Sequence, residues 1–81
     1  MAHVTFITQL VQYTGGAQTT EVEAATVQRL LRILGERYPE LAPHLEAGVA
    51  VAIDGQIYQD ALFQEIGPDS EIHILPMIAG G

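Results

Sequence analysis

The order of patterns along this chain predicts an α+β fold, in which a mixed sheet of four or five strands packs on one main helix. Runs with the period-two alternation of strands lie near both ends and in the middle of the sequence. A single segment between them has the three- and four-residue apolar spacing of a helix. The 81 residues are enough for one domain with a modest core. We expect that domain over residues 1–76, followed by an exposed, flexible tail over residues 77–81.

The first part of the chain is predicted to form a hairpin. Residues 3–10 have high β propensity and make predicted strand one, whose side chains alternate between two faces. The inward set is Val4, Phe6 and Thr8, and the outward set is Thr5, Ile7 and Gln9. Residues 13–17 contain Gly15 and Gly16 and predict a turn. Residues 18–24 make strand two, with Val22 facing inward and Glu21 and Glu23 facing outward.

The helix follows from Thr26, which is a suitable N-cap residue although Arg29 stands where a capping box would have Glu. Arg32 and Glu36 are spaced to form an ion pair on the helix surface. Pro39 ends the helix near Tyr38, and residues 40–46 predict a short helix or turn. The apolar positions on one face of this region are Val27, Leu30, Leu31, Leu34, Tyr38 and Leu41.

The second part of the chain is predicted to complete the sheet. Residues 49–53 form a third strand, Asp54 and Gly55 form a tight hairpin turn, and residues 56–58 form a short return strand. Residues 60–66 predict a loop with one helical turn at most, and residues 67–70 predict a turn. Residues 71–75 alternate polar and apolar as a last strand, and Pro76 marks where its pairing stops.

The composition excludes several functions. Ten carboxylates oppose three arginines for a formal net charge of −7, and there is no lysine. Nucleic-acid binding needs a basic footprint, and anionic membranes also disfavour such a chain. A partner with a basic face is expected, although the acidity could equally serve solubility alone. No apolar run approaches a membrane span and no basic-then-apolar leader is present, so a cytoplasmic protein is the default.

The last residues of the sequence have a shape suited to a narrow channel. Gly80 and Gly81 lack side chains and end in the carboxylate of Gly81. Five residues beyond Pro76 reach at most about 17 Å when fully extended. The alternative interpretation is a frayed terminus with no role. The chain has no Cys, so any sulfur chemistry cannot use a side-chain thiol.

The predicted element order fits the ubiquitin-like β-grasp, and the sequence resembles one family with that fold. The run over residues 67–81 is a Gly/Asp turn, an apolar strand, Pro and a Gly-Gly end. That run, the turn at Asp54 and Gly55 and the helix start at Thr26 are similar to the MoaD/ThiS sulfur carriers. The segments over residues 13–16 and 38–41 resemble the CysO-type carriers of cysteine biosynthesis more than the small subunit of molybdopterin synthase.

The resemblance implies a carrier that catalyses nothing itself. An E1-like adenylyltransferase of MoeB/ThiF type would use ATP to adenylate Gly81, and a sulfur donor would convert it to a thiocarboxylate. The acceptor would be an enzyme such as a cysteine synthase or the large subunit of molybdopterin synthase. No cofactor would be bound. The tail that enters partner active sites would comprise Met77, Ile78, Ala79 and Gly80.

A docking patch is predicted at the base of the tail. If Ile72 and Ile74 face the core, Ile7 and Leu75 face outward on neighbouring strands and form an exposed apolar patch. In carriers of the family the corresponding positions dock the activating enzyme. The alternative is that these are scattered surface apolar residues.

Other candidate sites are weaker. His3, His44 and His73 lack metal-ligand spacing, so no metal is expected. Tyr13, Tyr38 and Phe63 are expected to be packing residues, and no carboxylate pair is placed for acid–base catalysis.

Three functions stay open: a sulfur carrier, a protein modifier joined through Gly81 to lysines of other proteins, and a non-catalytic β-grasp binding module. Without lysine, a modifier could not build isopeptide chains on itself.

Overall fold

A computed structural model describes residues 1–59 and 62–76, and these form five strands and three helices. The model therefore leaves the predicted tail, residues 77–81, outside the described residues. In chain order the elements are β1 (Ala2–Phe6), α1 (Thr8–Val11), β2 (Thr19–Val22), α2 (Val27–Arg37), α3 (Ala42–Ala47), β3 (Val49–Ile53), β4 (Gln56–Gln59) and β5 (Glu71–Pro76).

The five strands form one mixed sheet in the order β2-β1-β5-β3-β4. The strand β5 is central and pairs in parallel with β1, where Val4 lies opposite Ile72 and Phe6 opposite Ile74. Its other neighbour, β3, is antiparallel, as are the two outer pairs β1–β2 and β3–β4. The predicted α+β fold with a mixed sheet is confirmed, and so is the predicted adjacency of the first and last strands.

The core lies between the sheet and the helices. Ile72 and Ile74 on β5 are fully buried, as is Val4 on β1. The face of α2 that meets them carries Leu30 and Leu34, which are also fully buried. The predicted inward direction of these side chains is therefore confirmed. Burying each such side chain contributes about 1.5–3 kcal/mol relative to leaving it exposed, so this layer holds the fold together.

The start of α2 is fixed by its cap and by a neighbouring loop. The Thr26 hydroxyl accepts a hydrogen bond from the Arg29 N–H at 3.3 Å, which confirms the predicted N-cap. The N–H groups of Val27 and Gln28 donate to the carbonyls of Gln64 and Leu62. These groups of a first helical turn have no partner within the helix. The loop over residues 62–66 is thereby anchored to the start of α2.

The end of α2 is also as predicted. The helix ends at Arg37, directly before Tyr38 and Pro39. The Tyr38 ring then packs edge to face on Phe6, with 5.7 Å between ring centroids. The predicted short helix after Pro39 is α3, whose Leu45 is buried. These contacts tie the helical layer to β1.

The hairpin of β3 and β4 turns in two residues. Asp54 has φ 49° and Gly55 has φ 88°, and Ile53 lies opposite Gln56 across the turn. Positive φ at both central residues matches the twist of the flanking strands, which is why Asp-Gly is favoured there. All five residues of β3 are buried, because Val49, Val51 and Ile53 face the core, while the small side chains of Ala50 and Ala52 on the outer face are shielded by their neighbours. The predicted third strand and its turn are confirmed.

The predicted strand one, residues 3–10, is longer than the observed β1. The strand β1 ends at Phe6, Ile7 is extended, and Thr8 begins α1. Thr8 and Gln9 therefore lie on an exposed helical turn instead of on two faces of a strand. The physical reason is pairing with β2, which begins at Thr19 opposite Thr5, so a longer strand would have lacked that partner. The pairing with β5 ends at Phe6 opposite Ile74, although β5 itself continues to Pro76 beside β3. The side chain of Leu10, on α1, is buried in the core.

Phe63 was predicted to pack and does not. Its side chain is 81% exposed. Hydrogen bonds from α2 to the carbonyls of Leu62 and Gln64, and from Ile66 to Ala25, fix the loop so that Ile66 points into the core. That arrangement leaves the Phe63 side chain exposed to solvent.

Within residues 1–59 and 62–76, no helix has the length and apolar character needed to cross a membrane.

Candidate functional site

The candidate site lies where the central strand ends. Pro76 is the last residue of β5 and lies opposite Val49 of β3. Proline has no N–H to donate, so it is suited to the last position of a paired strand. On the other side, the pairing with β1 ends two residues earlier, at Phe6 opposite Ile74. The strand β5 is described as far as Pro76, and the prediction that pairing stops there concerns the following residues, which lie outside the described part of the chain.

The two predicted docking residues lie beside this strand end. Leu75 is half-buried on β5 opposite Ala50, on the sheet face away from Ile74 and outside the core cluster. Ile7 follows the last residue of β1 and is half-buried, with part of its side chain packed against the core. Leu75 is thus the more surface-directed of the pair. Their role in docking stays a prediction.

An apolar strip on the outer sheet face continues from Leu75. Ala50 and Ala52 on β3 face the same side and are shielded by their neighbours. Ile57 on β4, opposite Ala52, is 59% exposed. The sequence predicts a short strand at Ile57 and assigns its side chain to neither face. The outward direction could have been predicted, because the two-residue turn fixes the register of the hairpin and Ile57 must face opposite to Gln56 and Tyr58.

The arginines of the described part lie on the helical side of the molecule. All three arginines lie on α2, as predicted. Among the described residues, the acidic side chains on the outer sheet face are Glu21 and Glu71, with Asp54 at the turn. No Arg of the described part lies on the strands of this face. His3 lies 3.2 Å from Glu21, and His73 is exposed beside Thr5. This face suits a partner of opposite charge.

The His, Asp and Glu residues of the described part are not grouped as metal ligands. Within residues 1–59 and 62–76, no three His, Cys, Asp or Glu side chains are grouped to hold a metal ion. The Tyr13 ring stacks on His44, with 3.9 Å between centroids, so both act as packing groups. The predicted tail residues Met77, Ile78, Ala79, Gly80 and Gly81 lie outside the described residues.

Sequence comparison identifies the family. A sequence profile of the ThiS family matches residues 4–81, almost the whole chain. The chain belongs to the ThiS family. The predicted resemblance to the MoaD/ThiS carriers is thereby confirmed. A comparison with functionally curated proteins finds no significant sequence match.

Solved structures share the fold of this ThiS family member. CysO from Mycobacterium tuberculosis superposes with a TM-score of 0.82 at 18% identity, covering 96% of this chain and 100% of that one. CysO in the Amycolatopsis orientalis BexX/CysO complex gives a TM-score of 0.77 at 22% identity, with both chains fully covered. Small archaeal modifier protein 1 from Haloferax volcanii gives 0.76 at 21% identity, covering 99% and 98%. These likenesses confirm the ubiquitin-like β-grasp.

Proposed function

We propose that this ThiS family member is a sulfur carrier whose reactive group is the C-terminal carboxylate of Gly81. The observation that carries the proposal is the position of Pro76 at the end of the central strand, with hydrogen-bonded strands on both sides of β5. The five residues that follow Pro76 in sequence start from the central strand of the sheet. They end in two glycines, which fit a narrow channel.

The chemistry requires activation before sulfur transfer. An E1-like adenylyltransferase of MoeB/ThiF type joins a carboxylate oxygen of Gly81 to the α-phosphorus of ATP, and pyrophosphate leaves. A sulfur donor then supplies hydrosulfide, which attacks the acyl carbon; AMP leaves, and loss of the S–H proton gives the thiocarboxylate. A free carboxylate is a poor electrophile, whereas the acyl-adenylate carries a good leaving group. The chain contributes reach and orientation and no catalytic group. The cytoplasm supplies the ATP that this step needs.

The activating enzyme is proposed to dock on the outer sheet face beside the strand end. Leu75 is half-buried there, and Ile7 lies beside the end of β1. Supporting observations are the apolar strip that continues to Ile57 and the lack of basic residues on this face among the described residues. Docking at the base of the tail would deliver Met77, Ile78, Ala79 and Gly80 into the active site of the enzyme.

The acceptor of the sulfur is proposed to be a biosynthetic enzyme such as a cysteine synthase or the large subunit of molybdopterin synthase. CysO of Amycolatopsis orientalis forms a complex with BexX, so a β-grasp protein of this type can bind another protein directly. By analogy we infer that this chain also acts while bound to its acceptor. The same tail would serve both partners in turn.

A second function is favoured by the likeness to small archaeal modifier protein 1. In that role the activated carbonyl of Gly81 would be attacked by a lysine amine of another protein, AMP would leave, and an isopeptide bond would form. The sequence contains no lysine, so such a modifier would attach as a single unit. A binding module that never uses Gly81 is the third alternative.

Intact-mass measurement tests the proposal. The chain is incubated with an E1-like enzyme, ATP and a sulfur source, beside a variant lacking Gly81. Replacement of one terminal oxygen by sulfur in the full chain alone is the expected result. A change in mass of the variant, or an unchanged full chain with an enzyme shown active on its own carrier, would overturn the proposal. Lysine-linked conjugates in a lysate that also require Gly81 would favour the modifier.

A further inference from the structure

The two edges of the sheet differ in how their backbone groups are used. At the β2 edge, the Arg37 guanidinium donates 2.8 Å hydrogen bonds to the Glu21 carbonyl and to the Thr20 hydroxyl. A long cation across a sheet edge hinders pairing with another strand. At the β4 edge, no hydrogen bond among the described residues joins a backbone group of Ile57 or Gln59 to anything beyond the hairpin.

The register shows which groups of β4 face away from β3. In a two-residue hairpin, Ile53 and Gln56 form the first hydrogen-bonded pair, and Val51 and Tyr58 form the next. The Asp54 N–H donates to the Glu71 carbonyl at 2.9 Å, so alternate residues of β3 bond to β5, as this pattern requires. The N–H and C=O groups of Ile57 and Gln59 therefore point outward from the sheet.

An apolar groove lies beneath this edge, between the sheet and the helices. Its volume is about 340 Å³, and it is lined by Leu31, Leu45, Val49, Tyr58 and Leu62, with Glu46 at its rim. Leu62 is 44% exposed, and Tyr58 is half-buried. A strand added next to β4 would place every second side chain on this side of the sheet. The groove is therefore positioned to receive them.

The charges around the edge are of one sign. The residues of β4 carry no charge, while exposed Asp54 lies at one end and exposed Glu46 lies at the groove rim. The basic residue of the adjoining groove, Arg32, lies 3.7 Å from Glu36 and is paired with it. The whole chain has a net charge of −7, which opposes the approach of a second copy. A basic partner is favoured.

We propose that the β4 edge binds an extended segment of a partner protein, with an apolar centre flanked by Lys or Arg. The segment pairs with the outward backbone groups of Ile57 and Gln59 as a sixth strand. Its alternate side chains contact Ile57 on the outer face and enter the groove beyond Tyr58 on the inner face. Its basic ends meet Asp54 and Glu46. This surface is separate from the proposed use of Gly81.

A peptide of this chemistry tests the proposal on the full chain. The probe is acetyl-Arg-Lys-Val-Ile-Val-Ile-Lys-Arg-amide, titrated into labelled protein and followed by NMR and calorimetry. We expect shifts at β4 and in the methyl groups of Leu31 and Leu45. We also expect slower hydrogen exchange at the amides of Ile57 and Gln59. A peptide with Glu at every basic position, and one N-methylated along one edge, should bind about tenfold more weakly or not at all.

A matched pair of variants isolates the edge. The Gln59→Pro change removes an outward N–H and leaves the hydrogen bonds to β3, while Gln59→Ala keeps that N–H. Affinity for the peptide should fall about fivefold to tenfold in Gln59→Pro relative to Gln59→Ala. If the proline variant folds poorly, hydrogen exchange at the amides of Ile57 and Gln59 in the wild-type chain still tests whether the peptide pairs with the β4 edge.

Three results would overturn the proposal. One is equal binding by the two Gln59 variants in their folded forms, and another is peptide shifts confined to β2 or to the Leu75 region. The third is a concentration-dependent dimer, measured by sedimentation, that Gln59→Pro abolishes. That result would assign the edge to a second copy of the chain.

Discussion

Asp54 and Glu71 are joined by two hydrogen bonds at the turn between β3 and β4. The Asp54 N–H donates to the Glu71 carbonyl, and the Glu71 N–H donates to Asp54 Oδ1, both at 2.9 Å. One residue thus shapes the hairpin turn with φ 49° and also holds the start of the central strand. The conformation and the side-chain acceptor both require an Asp or Asn at this position.

Asp54→Ala is therefore expected to lower the free energy of unfolding by about 1–2 kcal/mol, from the lost hydrogen bond and the positive φ. Asp54→Asn should cost much less, because Asn keeps an acceptor oxygen and tolerates this backbone conformation. Urea denaturation of the two variants measures the difference. Equal stabilities would show that the side-chain hydrogen bond contributes nothing.

Arg37 is expected to matter more than Arg32, although both are exposed arginines on one helix. Arg37→Met removes two hydrogen bonds to β2 and should cost about 1 kcal/mol. Arg32→Met breaks only the exposed pair with Glu36 and should cost at most about 0.5 kcal/mol. Unfolding midpoints at matched salt compare the two. A larger loss in Arg32→Met would contradict this ranking.

Most of the fold could be predicted because its signals are local. Thr26 and Pro39 bound the main helix, and Asp54 with Gly55 fixes the hairpin. The end of β1 could not be predicted, because it is set by where its pairing with β2 and β5 ends, and those partners are distant in sequence. The exposure of Phe63 likewise depends on hydrogen bonds from α2 to its loop.

The candidate site was predictable in part. The alternation of residues 71–75 placed Leu75 on the face opposite Ile74, and the structure places it there. Ile7 was expected on a strand, and instead it lies just past β1 with part of its side chain against the core. The open β4 edge could not be predicted, because strand order in a sheet is a property of the whole chain.

Ile74 should be among the most sensitive positions of the core. It is fully buried on the central strand between Phe6 and Val51. Ile74→Ala is expected to cost about 2–5 kcal/mol, through lost burial and the cavity that remains. His73→Ala, on the exposed face of the same strand, should stay within about 0.5 kcal/mol. Chemical denaturation of both variants checks this contrast.

Leu75→Glu should abolish adenylation of Gly81 and leave the domain folded. Leu75 is half-buried and lies outside the core cluster, so a carboxylate there can reach water. The added negative charge and the lost apolar contact would act on the docked enzyme instead. The measurement is pyrophosphate release by the E1-like enzyme with each carrier, beside a thermal unfolding curve.

The matched control for that experiment is Gln28→Glu, which adds the same charge at an exposed position of α2, on the side of the sheet opposite the proposed docking face. This variant should be adenylated at nearly the wild-type rate. If Leu75→Glu and Gln28→Glu behave alike, the effect is one of net charge, and the docking patch is removed from the mechanism.

The central position of β5 also has a mechanical consequence. A pull on the tail loads Pro76 along the axis of a strand that is hydrogen-bonded to β1 on one side and β3 on the other. Such a load acts in shear, so many hydrogen bonds resist at once instead of opening one after another. We therefore expect that a partner enzyme of the proposed kind could pull on the tail without extracting β5 from the domain.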